Sequence, residues 1–183
     1  MKKLNRKGFT LVELLAVIII LAVVVGITIP SILTATANAK KKAFSTAAAT
    51  AANWFNRQYQ SYLIGDPALS QYDTAFETLF IDKTGKEPTL KTVKVDAKSL
   101  IQNAGLSSAN VDKMVVKFNN GRSCVMLHAN STGDYKGSGN YEYENAGEKY
   151  TDTEITYGGN CSDTNLTDMY ASIKSETESG KTS

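Results

Sequence analysis

Between Phe9 and Ile29 the chain runs through 21 residues whose only charge is Glu13. As a helix rising about 1.5 Å per residue, this stretch is roughly 31 Å long and can span the hydrocarbon core of a bilayer. Lys2, Lys3, Arg6 and Lys7 precede it, so the positive-inside rule puts the amino end in the cytoplasm and the remainder outside. Lys40, Lys41 and Lys42 beyond the span weaken that asymmetry without reversing it. A carboxylate costs up to about 2.5–3.5 kcal/mol at the centre of a membrane helix. Glu13 therefore needs a physical reason.

A secretory signal peptide is one rival reading, since Ala37 and Ala39 in "TATANAK" form an A-x-A cleavage pattern that would release a soluble binding protein beginning at Lys40. Three features oppose it. The apolar run is longer than a typical signal core, the break at Pro30 comes well before Ala39, and a cleavable signal gains nothing from Glu13. The acid gains a role if the chain is cut between Gly8 and Phe9. The new α-amine then lies four residues from Glu13, one helical turn away. In an assembly the amine of one copy can reach the carboxylate of the next, and the cost of an unpaired buried charge fixes their axial offset.

The stretch "KGFTLVELL" has a short basic leader, Gly before the cut, Phe after it and an acid as fifth residue of the mature chain. It resembles the prepilin signature of type IV pilins over Lys7 to Pro30. The resemblance implies removal of residues 1–8 by a membrane prepilin peptidase, N-methylation of Phe9, and pairing of Glu13 with a neighbour's amino terminus in a homopolymeric filament. Gly26 and Pro30 correspond loosely to a segment that can unwind in assembled pili. Implied partners are other copies of the chain, the peptidase and the pilus assembly machinery. The implied location is the bacterial surface, after a single-pass stage in the inner or cytoplasmic membrane with the N-terminus in. Adhesion, surface motility, aggregation or biofilm formation are the implied roles; a minor pilin or a competence or secretion pseudopilin would carry the same leader.

The rest of the chain is read from its residues. Leu33, Ala37, Phe44, Ala48, Ala51, Phe55, Tyr59 and Tyr62 recur mostly every three or four positions, one stripe of a helix. Pro30 bends a helix without ending it when good formers flank it. One helix from about 9 to 63 is expected, roughly 80 Å long and beyond what a sphere of 183 residues can bury. Its hydrophobic first half, 9–30, should protrude into lipid or among the same halves of other copies; its second half, 31–63, should pack on a sheet. The expected fold is α+β and type IV pilin-like, with a small antiparallel sheet and a loop-rich C-terminal region. The extracellular head covers 31–183, with an αβ connection over 64–90 and the sheet and C-terminal region over 91–183.

Within that head, "GDP" at Gly65–Pro67 stops the helix and a short helix is expected near Thr74 to Phe80. "LKTVKVDA" reads as a strand and "AKSLIQNAGL" as a helix closed by Gly105. "DKMVVKFNNGRSCVMLHA" gives two alternating strands joined through Asn120-Gly121. "NSTGDYKGSGNYEYENAG" reads as an exposed loop with or without a brief strand, "KYTDTEITY" as one strand, and "SDTNLTDMYASIKS" as a short helix capped by Ser162 or Asp163, before a frayed "SETESGKTS".

Cys124 and Cys161 would lie outside the cell, where a disulfide pinning the C-terminal third is the leading reading. Buried thiols and a metal site with His128 are the alternatives, the last short of the four ligands structural zinc commonly takes. No nucleophile motif, phosphate loop or metalloprotease signature is present. Glu142 and Glu144 read as solvated rather than as an acid/base pair. Asn130 and Asn165 begin weak glycosylation patterns. The chain is therefore read as a structural protein, with no catalytic residue, cofactor or metal. Lys and Arg number 20 against 18 Asp and Glu; without the four leader cations the remainder is 16 minus 18, or −2, which gives no nucleic-acid footprint. Residues 31–122 hold 12 basic and 7 acidic groups and 123–183 hold 4 and 10, a polarity that can bring copies together end to side.

Overall fold

The computed structural model describes residues 10–65, 81–82, 89–90, 93–95, 98–119 and 121–179. The chain divides into two units, Met1–Ala39 and Lys40–Ser183. Helix α1, Leu11–Leu63, contributes to both and includes Pro30. It starts two residues after Phe9, because Thr10 is a non-helical cap. The expected helix at Thr74 to Phe80, Pro67 and Asn120 lie outside the described residues.

The second unit continues with short strands β1 (Ile81–Asp82), β2 (Thr89–Leu90) and β3 (Val93–Val95), then helix α2 (Lys98–Asn103). Strands β4 (Val111–Asn119) and β5 (Arg122–Ala129) form the expected hairpin, with Asn119 opposite Arg122 across a two-residue turn. Strands β6 (Tyr141–Asn145), β7 (Glu148–Asp152) and β8 (Ile155–Gly159) and helix α3 (Asp163–Ser179) complete the order. The main sheet is antiparallel in the order β3-β4-β5-β8, while β1-β2 and β6-β7 form separate pairs.

Both faces of the main sheet are covered. On one, Phe44, Ala48, Ala51, Ala52 and Phe55 of α1 pack on Met114, Val116, Val125, Leu127 and Ala129. On the other, Leu166, Met169 and Ile173 of α3 pack on Val115, Cys124, Met126 and Tyr141. Ser123 to Leu127 are consequently all buried, and the half-exposed alternation expected of this strand is replaced by the continuous burial of a two-sided core strand. The helix–sheet seam is closest at β8: a Cβ added to Gly158 would lie 2.8 Å from the carbonyl carbon of Ala48, and Ser123 Oγ donates to the Ala52 carbonyl at 2.7 Å. Small residues on both sides let two backbones approach this closely.

The C-terminal third decides one expectation and corrects another. The stretch read as a loop with or without a brief strand holds one, β6, which a turn with φ of 53° at Ala146 and 87° at Gly147 joins to β7. Positive φ at both central positions is the type I′ geometry that matches strand twist. "KYTDTEITY" is two strands rather than one, because Asp152 Oδ1 accepts the Glu154 N–H at 2.8 Å and turns the chain between β7 and β8. Ser162 caps α3, its Oγ accepting the Asn165 N–H at 3.4 Å. The helix then runs 17 residues to Ser179, into the segment expected to fray.

Candidate assembly surface

In the N-terminal unit sixteen large hydrophobic side chains between Leu11 and Leu33 are exposed, from 48% at Leu15 and Val25 to 81% at Leu11. Withdrawing one such side chain from water contributes about 1.5–3 kcal/mol. The set is worth tens of kcal/mol, so this helix face cannot rest in water and must be covered by lipid or protein. By length and composition α1 can cross a membrane.

Glu13 is the polar interruption. Its Oε2 accepts the Thr10 N–H at 2.8 Å and the Thr10 hydroxyl at 2.9 Å, while the Glu13 N–H donates to Thr10 Oγ1 at 3.2 Å. This reciprocal pattern is a capping box, in which Thr and Glu three residues apart satisfy each other's free backbone donors at a helix start. Where water is scarce those donors would otherwise be costly orphans. This role stands beside the pairing expected of the acid, and T-x-x-E before an apolar run is its sequence signal. Among the described residues, Oε1 has no hydrogen-bond partner.

Gly8 and Phe9 lie outside the described residues. Gly26 and Pro30 both lie inside α1, which is helical through them. They stand four apart, so the N–H that Pro30 lacks is the one that would have met the Gly26 carbonyl. Hydroxyls of Thr28 and Thr34 bond back to the Val24 and Pro30 carbonyls at 2.9 and 3.1 Å. Ala39, the alternative cleavage point, also lies within α1.

In the second unit Cys124 and Cys161 form a disulfide with Cα atoms 4.9 Å apart. It ties the entry of α3 to β5 and removes both thiols from the buried-thiol and metal-site alternatives. His128 Nδ1 instead meets Asp112 Oδ1 at 2.7 Å. Glu142 and Glu144 are exposed on β6. Asn130 is half-buried, its Oδ1 accepting the Thr132 N–H at 3.1 Å, and Asn165 is buried.

A buried electrostatic node in the second unit is structural. Asp152, 8% exposed, receives Lys174 Nζ at 2.6 Å and the Tyr170 hydroxyl at 3.4 Å. Burial pushes the Asp152 carboxyl up, but the Lys174 hydrogen bond, the Glu154 N–H and the ammonium charge outweigh it and leave it below its ordinary value. Its hydrogen bond to Asp152 holds the Lys174 ammonium above its ordinary value. Nearby, Tyr141 is fully buried and stacks on Tyr170 with ring centroids 4.7 Å apart. Burial, then the surrounding tyrosines, push its phenol up.

Comparison with known proteins completes the site. The family pattern described as the prokaryotic N-terminal methylation motif matches residues 3–29. The chain is 32% identical over 121 residues to the type IV wide pilus major component PilA4 of Thermus thermophilus, an alignment covering 63% of this chain and 89% of that protein. No solved structure gives a significant match.

Proposed function

The chain belongs to the type IV pilins, and from that premise we propose that it is a filament subunit assembled through the apolar half of α1, with Glu13 paired to the amino terminus of an adjoining copy. The observation that carries this reading is the contiguous surface of sixteen exposed hydrophobic side chains interrupted by one capped carboxylate. Lipid covers that surface before assembly, with the amino end in the cytoplasm; identical helices cover it afterwards. Residues 1–8 are the leader removed by a prepilin peptidase, 9–30 the membrane and polymerisation segment, and 31–183 the surface-exposed head. Phe9 supplies the amine.

The capping box accommodates this pairing. Oε2 is taken by Thr10, and a carboxylate can accept further donors through its other oxygen. The bond missing between Gly26 and Pro30 makes that turn the weakest of the apolar helix, which supports local unwinding on packing. Likeness to a major pilus component favours a major subunit over a minor pilin or a competence or secretion pseudopilin. Adhesion, motility, aggregation and biofilm formation are the roles such a filament would serve.

Amino-terminal sequencing of material sheared from cells tests the proposal. Methylated Phe at position 9 is expected. A mature chain starting at Lys40 would instead make it a released soluble protein.

A further inference from the structure

The three consecutive lysines, Lys40, Lys41 and Lys42, are unexplained by filament packing through the apolar helix. All three are exposed on α1 and none forms an ion pair with a described residue. No Asp or Glu occurs between Leu14 and Gly65, so the helix offers them no intrahelical partner. At 100° and 1.5 Å per residue they fan over roughly 200° of the helix while staying within about 3 Å of one level along it. A flat acidic patch on one neighbour meets only part of such a fan. A charged plane crossed by the helix meets all of it.

The flanking residues say which plane. The apolar surface from Leu11 to Leu33 covers 23 residues, about 34 Å at helical rise against a hydrocarbon core of about 30 Å. Between Leu33 and Lys40 stand Thr34, Ala35, Thr36, Ala37, Asn38 and Ala39, small or polar residues spanning about 10 Å, enough to cross a headgroup layer of about 5–7.5 Å. Thr34 and Thr36 return their hydroxyls to the Pro30 and Ile32 carbonyls, which satisfies them within the helix. The lysine backbone follows just outside the outer phosphates, which long side chains bending back toward the membrane reach.

We propose that Lys40, Lys41 and Lys42 form a collar that docks on the phosphates of anionic phospholipids at the outer membrane–water boundary, and that the collar releases them as the subunit is drawn into the filament. The proposal rests on the membrane stage of the function proposed above. Each lysine near an anionic surface strengthens association about fivefold, so the collar holds waiting subunits at one depth and makes their extraction depend on lipid charge and salt.

The test uses the full chain, dispersed in lipid nanodiscs of phosphatidylcholine alone or mixed with phosphatidylglycerol. A water-soluble amine-acylating reagent is applied, and modification rates are read by peptide mass spectrometry, with Lys136 as internal reference. The collar should be modified about fivefold or more slowly, relative to Lys136, in the anionic discs. High salt should abolish the difference. Equal rates in the two lipids overturn the collar and leave the filament reading intact, whereas a chain that fails to enter discs overturns both. Protection found only in filaments also overturns the lipid assignment, in favour of acidic side chains on a neighbouring copy.

Discussion

Replacing Glu13 by Gln separates the two roles that the structure gives this side chain. Gln retains an oxygen that can accept the Thr10 N–H and hydroxyl now held at 2.8 and 2.9 Å, and Gln is itself found at this position of capping boxes. The reciprocal half of the cap thus survives in Glu13→Gln and is lost in Glu13→Ala, which keeps the bond from the residue-13 N–H to Thr10 Oγ1 and should cost helix stability about 0.5–1.5 kcal/mol, the net worth of a hydrogen bond. The charge is lost in both. If a neighbour's ammonium relies on that charge in an apolar layer, stranding it costs about 3–5 kcal/mol per contact, roughly a 150- to 5,000-fold drop in association. The larger effect must dominate, so filament yield in sheared fractions should collapse in both variants, while both chains still fractionate with the membrane. Normal filaments from Glu13→Gln beside failure of Glu13→Ala would refute the pairing and leave capping as the role of Glu13.

The head supplies independent tests. Gly158→Ala should lower stability by about 1–3 kcal/mol or more, measured by thermal unfolding of the full chain in detergent, because the new methyl meets the backbone of Ala48 and Ala49 and not a movable side chain; an unchanged midpoint would disprove the close seam. Removing both cysteines should cost about 4 kcal/mol for a loop closed over 37 residues, and reductant should reproduce the loss in the parent chain but not in the variant. Asp152 is lowered in the folded state, so its contribution is full above its unfolded pKa of about 3.9 and is lost as pH falls through the folded value. Asp152→Asn should therefore be less stable than the parent at neutral pH and have a flatter acid limb; parallel acid unfolding curves would remove Asp152 from the linkage.

Much of the architecture was legible because its signals were local. The stripe from Phe44 to Phe55 has the period of a helix face, and Asn-Gly between two apolar runs specified the β4-β5 hairpin. Harder features depend on tertiary context. Nothing within β5 announces that α3 covers its second face, so its burial is continuous where a one-sided strand would alternate. The β6-β7 turn uses Ala146-Gly147, with a non-glycine residue at positive φ, and no sequence rule favours Ala there. The break between β7 and β8 comes from one side chain, Asp152, folding back on the backbone. At the candidate site Glu13 stands out in the sequence as a charge that needs a partner, whereas its capping role depends on Thr10 three residues before it. The oxidised state of Cys124 and Cys161 followed from their spatial meeting, which spacing alone leaves open.

The most direct measurement of the assembly claim is a filament map at side-chain resolution. It should place each Glu13 carboxylate within about 4 Å of the amino nitrogen of Phe9 in another copy, the distance of an ion pair, with Thr10 still capping the helix. A filament whose mature chain lacks Phe9, or in which that carboxylate meets no amine, would contradict the account.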